Sequence, residues 1–140
     1  MRIRAKQMKA FEEAAEESFV RRLSGHLLEN YAKTVVFLPD KKLPVEELPD
    51  ETLQDMVRSG IARARSHGIS YESSIAAFTA VMFEIAPNFD RHRLSQVLLN
   101  DEEIDPNSRL EELFKVLTEK NWESIKEDYD AEAWRFDSGE

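Results

Sequence analysis

The sequence predicts an all-α protein, a compact bundle of five or six helices, and three observations carry that reading. Leu, Ile, Val and Phe return at three- and four-residue intervals through most of the chain, the period of a helix that buries one face. Only four glycines and five prolines punctuate 140 residues, which favours long regular elements over many short strands. Several apolar stripes begin and end on helix-terminus residues. Hydrophobic residues make up 41% and charged residues 34% of the chain, polar for a globular protein but too regularly patterned for a disordered one. The length suits one core. Residues 1–128 read as a single helical domain and residues 129–140, YDAEAWRFDSGE, as an acidic, aromatic C-terminal tail.

The first 31 residues read as one long helix or a broken pair. Phe11, Ala15, Phe19, Leu23 and Leu27 lie on one i+4 line led by Met8, and Glu12, Glu13, Glu16 and Glu17 cover the opposite side. Gly25 costs about 1 kcal/mol relative to Ala and marks a candidate bend. TVVFLPDKKLPVEELPD, residues 34–50, breaks the helical period with three prolines. It reads as a connecting loop that docks Val36, Phe37 and Leu38 on the core, since a lone extended piece forms no sheet.

A second helix starts after Pro49 with Asp50 as its expected cap. It turns Leu53, Met56, Val57, Ile61 and Ala64 to one side, and Gly68 follows where a left-handed turn needs no Cβ. Gly60 inside it suits the close approach of a neighbouring helix. Ser70 is the expected cap of a third helix carrying Ile75, Phe78, Thr79, Met82, Phe83 and Ala86, which Pro87 stops. A short fourth helix spans His92 to Asn100 with Leu94, Val97 and Leu98 inward. The last opens at Asp105-Pro106, with Leu110, Leu113, Phe114 and Leu117 as its stripe and Trp122 and Ile125 as its extension.

Charge and composition narrow the function. The net charge is −9, and it arises in the last 40 residues, which hold 14 acids against 5 Lys and Arg, whereas residues 1–100 hold 14 of each. An acidic segment repels nucleic acid and suits a basic protein partner. The chain has no cysteine, which excludes disulfides and thiolate metal sites. It has no secretory h-region and no apolar run long enough to span a membrane, so the expected location is the cytoplasm, with no membrane or nucleic-acid partner.

No pattern announces catalysis. His26, His67 and His92 are not spaced as helical metal ligands, the glutamate cluster of the first helix opposes the apolar stripe and so faces water, and Ser24-Gly25-His26 does not set a hydroxyl against an imidazole. No phosphate-binding or nucleophile motif is present. The expectation is a non-enzymatic protein without cofactor or metal. Arg58, Arg63, Arg65 and His67 give the second helix a basic face that would meet the acidic C-terminal segment or an acidic partner. In MFEIAPNFDRHR, residues 82–93, Asp90 reads as a helix cap and Phe89 as a plug in the core, which leaves Arg91, His92 and Arg93 as a candidate binding edge.

GIARARSHGIS, then MFEIAPNFD, then LSQVLLNDEEIDPNSRLEELF carry a resemblance over about residues 53–117. They are similar to a group of small helical proteins of unassigned activity encoded beside spike-tip and lysozyme-like toxin genes of bacterial type VI secretion systems. The matching residues are Gly60, Ile61, Ala64, His67, Gly68 and Ile69, then Met82, Phe83, Pro87, Phe89 and Asp90. Ala86 stands where that group usually has glycine, and an aromatic usual in the next helix is replaced near Ser95 or Gln96. The resemblance implies an adaptor or chaperone that binds a secreted toxin or spike component. An immunity protein that neutralises a cognate toxin and an enzyme with an unrecognised site are the alternatives. Partner contacts are expected first at Trp122, Tyr129, Trp134 and Phe136, the aromatics least explained by the core stripes, and second at Arg91, His92 and Arg93. The competing reading packs those aromatics on the N-terminal helix.

Overall fold

The computed structural model describes residues 5–135, with side chains from Glu12 onward. Six α-helices and one hairpin follow in the order α1 (Ala5–Asn30), β1 (Val35–Phe37), β2 (Lys42–Pro44), α2 (Asp50–Ser66), α3 (Glu72–Glu84), α4 (Arg93–Leu99), α5 (Arg109–Val116) and α6 (Glu119–Glu127) among the described residues. Short 3-10 turns link several of them. The fold is a mostly helical bundle, and among the described residues its only sheet is that two-stranded ribbon.

α1 is one continuous helix through Gly25, and it buries Phe19, Val20, Leu23 and Leu27. Ala15, on the same predicted line, is exposed; the side chains of Met8 and Phe11 lie outside the described residues. The most extensive helix pairing is α2 on α3. All the predicted inward residues of both helices are buried: Leu53, Met56, Val57, Ile61 and Ala64 on α2, and Ile75, Phe78, Thr79, Met82 and Phe83 on α3. The two backbones come close at Gly60, where a Cβ would lie 2.7 Å from both Cγ2 and Oγ1 of Thr79. Gly68 ends α2 with φ +83°, a left-handed conformation that side chains with a Cβ disfavour.

The helix ends depart from the predictions in instructive ways. Asp50 is the first residue of α2 rather than its cap, which is Pro49. Ser70 does not cap α3. Asn107 instead pins the residues just ahead of that helix from across the chain, its Oδ1 accepting from the backbone N–H of Ser70 and of Tyr71, each at 2.9 Å. α3 stops at Glu84, and Phe89 fills the core as expected. α4 is capped by His92, whose Nδ1 accepts from Leu94 N–H. It buries Ser95 and Leu99, while the supposedly inward Val97 is 73% exposed. The predicted extension of α5 through Trp122 is a separate helix. Leu117 leaves helical geometry, and Thr118 and Asn121 form a reciprocal capping box that starts α6.

Two further corrections concern chain segments. The 34–50 loop contains a hairpin with Val36 opposite Leu43, because Lys42–Pro44 supplies the partner strand that β1 needs. Val36 is buried but Phe37 is not. The boundary between domain and tail at residue 128 falls inside the packed body. Ala131–Trp134 forms a 3-10 turn against α2, and Ala133 and Trp134 are buried.

Candidate interaction surface

The end of α2 and the turn after α3 meet at a buried charge cluster. Arg63 points from α2 into the interior, fully buried, and its Nε donates to Asp90 Oδ1 at 2.7 Å. Its Nη1 donates to the carbonyl of Ala133 at 3.1 Å. His67, one turn on, places Nε2 2.8 Å from Asp90 Oδ2. Both carboxylate oxygens of Asp90 are thus engaged. Burial alone pushes this carboxyl upward; the hydrogen bond from His67 and the charge of Arg63 together outweigh it and hold the group below its ordinary value. The cluster locks the end of α2, the turn after α3 and the C-terminal 3-10 turn to one another.

This overturns two predictions. Asp90 caps no helix, because its carboxylate faces the interior. The basic face of α2 is split: Arg63 is inside, while Arg58 and Arg65 pair with Glu17 and Glu16 of α1 rather than with the C-terminal segment. Two glutamates of the supposedly solvated α1 cluster are therefore engaged in inter-helix ion pairs.

The predicted partner residues differ in how much surface they offer. Arg91 and Arg93 are exposed and make no ion pair among the described residues. His92 is turned partly inward, its Nε2 3.0 Å from Asp128 Oδ2, so one member of the basic cluster does meet the acidic segment. Trp134 is 6% exposed and packs on Phe83 with ring centroids 4.8 Å apart, so in this conformation it presents almost no surface to a partner. Tyr129 is half-buried, and its hydroxyl accepts from Phe37 N–H and Trp134 Nε1–H and donates to Phe37 O. All the hydrogen-bonding capacity of the phenol is used. Neither ring packs as the competing reading had it, since their partners are Phe37 and Phe83 rather than α1. Trp122 is partly exposed beside Phe114. Phe136 lies outside the described residues.

Around Trp122 the surface is apolar and concave. One hollow of about 570 Å³ is floored by Val81, Ile85, Phe114 and Trp122. A second, of about 400 Å³, is floored by Val35, Phe37, Phe83 and Tyr129. They share Glu84, Ile85 and Lys126, so they form one trough that runs from α5 and α6 across the end of α3 to β1. Phe114 is 50% exposed, and Val35 and Phe37 are each 45% exposed, large apolar groups left in water on the walls of the two hollows. Sequence reasoning had assigned Phe37 and Phe114 to the core. The signal against Phe114 was available: Leu110, Leu113 and Leu117 complete an inward stripe without it, and Phe114 follows Leu113 about a quarter-turn round the helix.

Among the described residues no group of three or more His, Asp or Glu side chains is arranged to hold a metal ion, and no helix is long and apolar enough to cross a membrane. These features define a helical protein with a tightly bolted interior and an apolar trough on its surface. Compared with protein-family models, curated proteins and solved structures, the chain matches none.

Proposed function

We propose that this chain is a non-enzymatic protein-binding module of the bacterial cytoplasm, an adaptor or chaperone that holds a secreted toxin or spike component before export. The observation that carries the binding part of this reading is the continuous trough, whose half-exposed Phe37 and Phe114 leave apolar area in water that a partner would cover. A stable complex needs about 800 Å² from each side, within reach of one face of a domain this size. The secretion setting rests on the likeness of residues 53–117 to proteins encoded beside type VI spike and toxin genes.

The immunity reading draws on a different feature. The exposed residues of α6 and its continuation include Glu119, Glu123, Glu127, Asp128, Asp130 and Glu132, an acidic face suited to covering a basic toxin site. Affinity capture from the native host followed by mass spectrometry separates the two. A toxin recovered together with spike proteins supports the adaptor, a toxin recovered alone supports immunity, and recovery of no protein partner sinks both.

A further inference from the structure

We infer that the trough receives an amphipathic helix of the partner whose apolar face is flanked by lysines or arginines. This rests on the protein-binding reading above and names the occupant. Three observations select it. The trough consists of two adjoining hollows that share Glu84, Ile85 and Lys126, a spacing that successive anchors on one helix face fill. Its rim is charged with a bias: Glu84, Glu119 and Glu123 stand against Lys126, and none of the four makes an ion pair among the described residues. Carboxylates left without cations beside an apolar floor are matched by a helix that carries cations beside an apolar stripe. An extended strand is disfavoured as occupant. At Phe37 the outer edge of β1 already spends its N–H and C=O on the Tyr129 hydroxyl, at 3.0 and 3.1 Å, so an added strand would have to break both bonds.

The test uses the full chain and synthetic helical peptides that share one leucine face. One peptide is flanked by Lys and Arg, one by Glu, and a proline-interrupted version of the basic peptide cannot form a helix. Binding is followed by fluorescence anisotropy and located by amide chemical-shift mapping. The basic helix is expected to bind on the order of tenfold more tightly than the acidic one, with shifts centred on residues 81–85 and 114–126. The triple variant Glu84→Lys, Glu119→Lys, Glu123→Lys, altered only at exposed positions, is expected to reverse the preference. Phe114→Asp separates docking from mere charge attraction. It adds a negative charge, so nonspecific adsorption of the basic peptide would strengthen, whereas seating in the trough weakens roughly tenfold or more. Equal binding of both charge types, undiminished binding of the proline-interrupted peptide, or shifts elsewhere on the molecule would overturn the inference. A partner captured from the host that Phe114→Asp still holds at full affinity would also overturn it while leaving the binding role intact; failure of the wild-type chain to capture any partner counts against the binding role itself.

Discussion

Replacing Asp90 with Asn keeps the shape of the side chain and removes its charge from a site where Arg63 and Asp90 are 1% and 5% exposed. The Arg63 Nε and the His67 Nε2 then face a neutral amide instead of a carboxylate. Losing one partner of a buried ion pair costs about 3–5 kcal/mol, and the amide oxygen still accepts one hydrogen bond, so about 3 kcal/mol is expected. With about 2.1 cal/mol/K of unfolding entropy per residue, a chain of 140 residues melts roughly 10 °C lower for that loss. The pH dependence has a definite sign. Asp90 has a folded-state pKa below its unfolded value of 3.8, so its stabilisation is complete above that value and fades as pH falls through the lower, folded one. Urea unfolding of wild type and variant at a series of pH values should therefore show a gap that persists down to about pH 3.8 and shrinks below. A gap under about 1 kcal/mol at neutral pH, or one that already closes above pH 5, would refute the assignment of Asp90 as the charged bolt of the interior. The double variant Arg63→Met, Asp90→Leu should regain part of the loss, because the buried charges go together while the Ala133 carbonyl and His67 Nε2 lose their hydrogen bonds to this pair.

Other substitutions test the packing and the surface. Gly60→Ala drives a methyl into Thr79 and should destabilise by about 1–3 kcal/mol in thermal or urea melts; adding Thr79→Ala, which deletes the two atoms at 2.7 Å, should recover part of it. Gly68→Ala forces a Cβ into left-handed backbone and should cost about 1–2 kcal/mol by the same measurement. Tyr129→Phe strips a hydroxyl from three hydrogen bonds at once. It should destabilise by about 1–3 kcal/mol and speed hydrogen exchange at the Phe37 amide, and an unchanged exchange rate there would deny that this hydroxyl closes the β1 edge.

Much of the architecture was legible because the apolar residues of α2 and α3 recur at helical spacing, although both helices also bury residues outside those stripes, among them Arg63 and Val81. Every apolar position predicted inward on them is inward, and the close approach at Gly60 followed from one small residue in a helix interior. What escaped prediction was decided by distant residues. Asn107, 36 residues from Tyr71, holds the entry to α3 through the N–H groups of Ser70 and Tyr71, a contact no local pattern encodes. The β1–β2 ribbon was invisible because each strand is three residues long and one ends in proline. Val97 reads as inward by spacing, yet a helix as short as α4 buries only what its neighbours cover, here Ser95 and Leu99. The candidate site was legible only in part. Trp122 was singled out, but Phe37 and Phe114 look like core residues in the sequence, and Asp90 looks like a cap until the fold brings Arg63 to it.

The segment 129–134 is fastened to partners far back along the polypeptide: Tyr129 to Phe37, 92 positions away, and Ala133 to Arg63, 70 away. During synthesis, helices made early can form and pair, but the trough wall at Tyr129 and the lid over Phe83 are missing until residue 134 has left the ribosome. Closure of such remote links comes late and is slow relative to local helix formation. A growing chain therefore offers a ligand no finished cradle until the segment through Trp134 has joined the body.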